Sequence, residues 1–171
     1  MLVKDILDVD FINYKKPSML IAFPYCSWKC EKECGKKVCQ NGTLATSPNI
    51  EISPLKIVER FNNNNLTSAV VMGGLEPFDS WYDLFWLVMA FQTHSNHPDI
   101  VIYTGYYKEE IESQIEILKE AYNGKLIIKF GRYIPDQEKH FDEILGVELA
   151  SDNQYAEVIK EKGRSFYENR T

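Results

Sequence analysis

The chain has 171 residues and a mass of 19.9 kDa, the size of one domain, and its 44% hydrophobic content suits a chain that buries a core. Lys and Arg total 19 against 25 Asp and Glu, a formal charge of −6. That balance repels phosphate backbones and anionic bilayers, which argues against nucleic-acid or membrane partners. Met1 to Asp10 mixes Lys4, Asp5, Asp8 and Asp10 with apolar residues, unlike a secretion signal. No stretch reaches the roughly 18 apolar residues of a spanning helix, so the expected setting is the cytoplasm.

Ser18 to Pro24 (SMLIAFP) reads as a short buried strand, and a cysteine-rich loop follows it directly. Ser53-Pro54 opens a helix with Leu55, Ile57, Val58 and Phe61 at helical spacing, and the Asn62 to Asn65 run ends it. Ser68 to Met72 is a second apolar strand, closed by Gly73-Gly74. Asp79-Ser80 reads as a cap for an apolar helix from about Trp81 to Gln92, whose Trp81, Phe85, Trp86, Met89 and Phe91 suit a core or an interface. Asp99 to Tyr103 is a third strand, Lys108 to Tyr122 an amphipathic helix and Lys125 to Phe130 a fourth strand. Ile144 to Leu149 suggests a fifth strand and Asp152 to Lys162 a closing helix, with a tail after about Gly163 that frays. His94, His97 and His140 lack partners at metal-ligand spacing and are expected on the solvated surface.

Short apolar strands separated by helices indicate parallel βαβ units, with functional loops at the C-terminal strand ends. The cysteine loop, Gly73-Gly74, Thr104-Gly105 and Gly131-Arg132 all fall at such ends and should meet on one rim. Too few units are present to close an eight-stranded barrel. The expected fold is therefore α/β, an open partial (βα) barrel of parallel strands with helices outside, in one domain spanning 1–171.

All four cysteines, Cys26, Cys30, Cys34 and Cys39, lie within one short segment, and no other region has a thiol for them to staple. Such clustering points to metal rather than to a disulfide framework. Thiolates suit zinc or an iron–sulfur cluster. Two zinc knuckles would have to face each other across the short Cys30–Cys34 gap, whereas three cysteines leaving one metal position open suit a catalytic cluster. On the residues alone both metals stand.

The strand followed by Cys26 and Cys30 resembles the C-x3-C-x2-C signature of radical S-adenosylmethionine (SAM) enzymes. In that family three cysteines hold a [4Fe-4S] cluster whose fourth iron takes the methionyl end of SAM. Val38-Cys39-Gln40-Asn41 resembles the end of the family loop, so Cys39 is the expected third ligand beside Cys26 and Cys30, in a loop expanded to C-x3-C-x8-C. Cys34 is then spare, or an alternative ligand. Met72-Gly73-Gly74-Leu75-Glu76-Pro77 resembles the family's Gly-Gly-Glu-Pro with Leu75 inserted. The resemblance assigns Gly73, Gly74 and Glu76 to the methionine amino group.

Tyr103-Thr104-Gly105-Tyr106, Lys129-Phe130-Gly131-Arg132-Tyr133 and Leu149 to Gln154 resemble, in order, motifs of the activating enzymes of anaerobic ribonucleotide reductase. These matches add Thr104 and Asn153 to the cofactor-binding set; Phe130 departs from the family's aspartate. The resemblance implies a radical SAM oxidoreductase that cleaves SAM to a 5′-deoxyadenosyl radical and sets a glycyl radical on a partner, the large subunit of an anaerobic ribonucleotide reductase. Its chemistry is carried by the cluster and SAM rather than by a catalytic side chain. Lys36-Lys37 either solvate the loop or would meet an acidic electron donor such as flavodoxin. The rivals are a radical SAM enzyme acting on another peptide or a small molecule, and a non-catalytic, zinc-stabilised binding module.

Overall fold

The computed structural model describes residues 1–163. The expected fraying tail lies outside the described residues. In chain order the elements are β1 (Leu2–Val3), β2 (Asp5–Asp10), β3 (Ser18–Phe23), α1 (Lys29–Cys34), α2 (Gly42–Thr46), β4 (Ile50–Glu51), α3 (Pro54–Asn62), β5 (Ala69–Gly74), α4 (Trp81–His94), β6 (Asp99–Tyr103), α5 (Glu112–Ala121), β7 (Leu126–Phe130), β8 (His140–Asp142), β9 (Val147–Leu149) and β10 (Tyr155–Lys160). The protein is mixed α/β, built on a sheet ordered β10-β7-β6-β5-β3-β2.

The four middle strands are parallel and nearly flush, with Ser18 opposite Ala69, Ala69 opposite Asp99, and Ile100 opposite Leu126. Alternation along them separates two faces. Met19, Ile21, Val70, Met72, Ile100 and Ile128 point to the side that buries Ile57 and Phe61 of α3, Leu84, Leu87 and Phe91 of α4, and Leu118 of α5. Each such side chain, at or near zero exposure, contributes about 1.5–3 kcal/mol. The opposite face carries Leu20, Val71, Val101 and Ile127. Tyr14, Leu145 and Leu149 pack on part of it, Tyr14 reaching Asp99 at the start of β6 and Leu149 the margin of the part that stays open toward the strand ends.

Several expectations need correction. Both sheet edges are antiparallel, β2 against β3 and β10 against β7, where parallel strands alone are expected. The segment Asp152 to Lys162 is not a helix: it contains β10, because the β7 edge offers unpaired backbone groups and Ala156 and Val158 alternate onto one face. Val147–Leu149 is a strand, but it pairs with His140–Asp142 in a separate hairpin outside the main sheet. The helix expected over 108–122 is broken at Ile111 into a 3₁₀ turn, Lys108–Glu110, and α5.

Ser53 caps α3 as its position predicts, accepting from Lys56 N–H at 3.3 Å, whereas Ser80 makes no such bond to α4. On α4 Phe91 is core, Trp81 and Phe85 pack at its margin, and Trp86 is exposed. Of the histidines His94 is exposed, but His97 and His140 are half-buried rather than solvated; His97 bonds the Gln92 carbonyl at 3.0 Å and stands edge-on to Tyr122.

Candidate iron–sulfur site

The open part of the second sheet face is a cleft of about 620 Å³ at the C-terminal ends of the parallel strands. That is where an open α/β sheet presents its loops to a ligand. Cys26, Cys30 and Cys39 line it, together with Gly73, Gly74, Glu76 and Thr104. Cys34 does not line it, and neither does Asn153. All four cysteines are free thiols and half-buried.

The loop carrying the thiols leaves β3 at Phe23 and is tied down at several points. Trp28 N–H donates to Cys26 Sγ at 3.3 Å, and Ser27 N–H donates to the Asp79 carboxylate. Asp79 in turn accepts from Tyr106 hydroxyl at 2.6 Å, so the residue expected to help cap α4 instead latches the cysteine loop to the β6 end. Lys4 Nζ donates to the Ala45 carbonyl at 3.0 Å, and Asn41 Nδ2 to the Gly74 carbonyl at 2.6 Å. Between these anchors α1 is held by charge: Arg132 pairs with Glu33 at 3.1 Å and with Glu110 at 2.8 Å, and Lys29 pairs with Glu110 at 3.0 Å. Tyr107 closes this group, its ring 4.3 Å from the Arg132 guanidinium and its hydroxyl donating to Glu33.

The glycine turn has its own steric cause. Gly74 has φ +80, and a Cβ there would stand 2.7 Å from Ala22 Cβ. Leu75 is accommodated by prolonging the parallel pairing: Leu75 N–H reaches the Phe23 carbonyl at 3.4 Å and Glu76 N–H the Tyr25 carbonyl at 2.8 Å. Glu76 is buried, and its carboxylate accepts from Thr104 hydroxyl at 2.7 Å, Gly105 N–H at 2.8 Å and Phe78 N–H at 3.1 Å. Burial pushes its carboxyl up to about 7 against those three donors, which pull it down. Thr104 thereby serves as a brace between the β5 and β6 ends. Asn153 lies behind the wall: its amide donates to the Arg132 carbonyl at 3.0 Å, and its Oδ1 is buried without a partner among the described residues.

Burial also pushes Cys26 up to about 11, with Glu76 and Asp79 adding to the shift and the Trp28 N–H opposing it. Cys30 is raised by burial too, opposed by the Tyr133 N–H and by Lys129. A metal takes thiolates, so occupation of the cleft must release these protons. Among the described residues no three His, Cys, Asp or Glu side chains are close enough to hold a metal ion as they stand. Holding one therefore requires the loop to draw its thiols together. Three free thiols lining one cleft are soft donors of the kind that iron–sulfur clusters and zinc both take.

Motif reading alone passes over several residues here. Glu33 and Glu110 carry no local signal beyond ordinary surface polarity, and Asp79 carries only the signal of a helix cap. Lys129 does carry one: it is the only charge in the apolar strand Leu126–Phe130, it is 6% exposed, and it lines the cleft. Burial pulls its amine down to about 8, against the charges of Cys30 and Glu76, which favour the protonated form.

A mostly parallel α/β sheet whose strand-end cleft gathers cysteine thiols is a candidate metal-binding domain. Residues 18–151 match the family model described as "4Fe-4S single cluster domain". That span is most of the chain, and the protein belongs to this family of iron–sulfur proteins. No curated protein and no solved structure gave a match. No helix among the described residues is long and apolar enough to cross a membrane.

Proposed function

We propose that the protein is a radical SAM enzyme whose [4Fe-4S] cluster is held by Cys26, Cys30 and Cys39, and that its substrate is a glycine of a partner protein, an anaerobic ribonucleotide reductase. The observation that carries this reading is convergence: these three thiols, the Gly73-Gly74 turn, Glu76 and Thr104 line one cleft, while Cys34 does not. The finer fold assignment, an open partial barrel of the radical SAM type, belongs to the same proposal, as does the single-domain extent. Held by Cys26, Cys30 and Cys39, a reduced cluster would supply the single electron for reductive cleavage of SAM to methionine and a 5′-deoxyadenosyl radical, the chemistry needed to take a hydrogen atom from glycine.

The chain's own part is to position and to exclude water. A carboxylate offers about four acceptor sites. Glu76 uses three on Thr104, Gly105 and Phe78, leaving one for the amino group of the cofactor. Absence of a side chain at Gly73 and Gly74 keeps that end of the cleft open to a ligand's main polar groups. Asn153 acts from behind, holding the Arg132 carbonyl and with it the β7 end. Lys36, 62% exposed and 4.0 Å from Asp136, and its neighbour Lys37 give the loop a basic spot that would receive an acidic electron donor such as flavodoxin.

The test is anaerobic reconstitution with iron and sulfide, followed by electron paramagnetic resonance of the reduced protein with and without SAM. A [4Fe-4S]⁺ signal that changes on adding SAM is expected. A signal indifferent to SAM, or uptake of zinc without iron, overturns the reading.

A further inference from the structure

Lys129 is the one cationic side chain among the residues that line the cleft. Backbone pairing holds it rigidly, with Tyr103 opposite on one side and Ala156 on the other, and its carbonyl accepts from Thr104 N–H at 2.9 Å. An ammonium has three donors. Among the described residues Lys129 Nζ has one acceptor, the Gly131 carbonyl at 3.0 Å, and no ion pair. Of the three carboxylates lining the same cleft, Asp5, Glu76 and Glu148, none forms an ion pair with Lys129; Glu76 turns three of its acceptor sites to Thr104, Gly105 and Phe78 instead. An unpaired buried cation costs several kcal/mol. Such a charge is out of place in the strand unless an anion completes it.

We infer that Lys129 is a positioning residue whose buried positive charge faces the anionic iron–sulfur cluster and raises its reduction potential. This rests on the cluster reading above. A cluster held by three thiolates is negative overall and becomes more so when it takes up an electron. In a low-dielectric cleft a nearby fixed cation favours the reduced state over the oxidised one. The acidic chain, at −6 overall, has the opposite effect on that equilibrium. Lys129 offsets it locally, at the floor of the cleft, where an exposed lysine would be screened.

The experiment is a redox titration of the reconstituted protein, followed by the [4Fe-4S]⁺ resonance, for wild type, Lys129→Met, Lys129→Gln and Lys129→Arg. Iron per chain is expected to stay at the wild-type level. The midpoint is expected to move to more negative potential in Lys129→Met and in Lys129→Gln, which keeps a donor for the Gly131 carbonyl but no charge, and to return toward wild type in Lys129→Arg. Midpoints of the Met and Gln variants equal to wild type overturn the inference while leaving the cluster reading intact. Loss of iron from both variants makes Lys129 a support for the loop and also overturns it. A wild-type chain that takes up no iron overturns both readings together.

Discussion

Cys39 and Cys34 are close in sequence and differ in where they face. Cys34 ends α1, outside the cleft, whereas Cys39 lines it. Cys39→Ala is therefore expected to lose iron on reconstitution and Cys34→Ala to keep it; iron assay of the two proteins checks this, and the opposite pattern makes Cys34 the third ligand. Gly74 faces a different constraint. Its positive φ and the 2.7 Å approach to Ala22 make Gly74→Ala strained and crowded at once, an expected loss of about 2–4 kcal/mol in urea denaturation, with or without metal. A near-neutral result would show that the β3–β5 contact gives way easily.

Helix α1 has no buried residue, so apolar packing does not hold it in place. Its position depends on the ion pairs of Glu33 and Lys29 with Arg132 and Glu110. Burial raises the Glu110 carboxyl, but Arg132, the Tyr107 N–H and Lys29 outweigh it and hold the group down at about 2. A carboxylate depressed in the folded state stabilises above its unfolded pKa and loses that contribution as pH falls through the folded one. With a side chain 28% exposed, the contribution is about 1–2 kcal/mol after screening. Glu110→Gln is thus expected to be less stable than wild type near neutrality, the gap closing as pH falls from about 4.5 toward about 2. Urea midpoints across that range decide it. A pH-independent gap would mean that Glu110 acts through shape rather than charge.

Across the molecule, the helices and the sheet they cover form a core that does not include the thiols. Stripping metal with a chelator should therefore leave the far-ultraviolet circular dichroism unchanged, while proteolysis between Tyr25 and Ser47 accelerates as the loop loses its ligand. Collapse of the whole spectrum would point to a zinc-dependent fold instead. Asp79→Ala is expected to accelerate the same cleavage without touching the thiols, because it releases Ser27 and Tyr106 together.

The parallel centre of the sheet was legible from local pattern, because buried parallel strands are apolar runs and the helices between them repeat every three to four residues. Ser18–Phe23, Ala69–Gly74, Asp99–Tyr103 and Leu126–Phe130 follow that rule, as does α3, whereas α4 is an almost continuous apolar run. The clustering of the cysteines, and with it a thiolate metal site, was equally a matter of local order, whereas the choice of iron–sulfur over zinc rests on the family match. The edges were not legible. Tyr155–Lys160 has a composition that suits helix or strand, and the open hydrogen-bonding edge of β7 settles which. Asp79 reads as a cap until folding brings Ser27 and Tyr106 to its oxygens. Lys129 reads as one charge in an apolar strand until the pairing of β6, β7 and β10 points it into the cleft beside Cys30. Periodicity and spacing are properties of neighbours along the chain. The partners of a buried charge are set by strands that meet only when the sheet assembles.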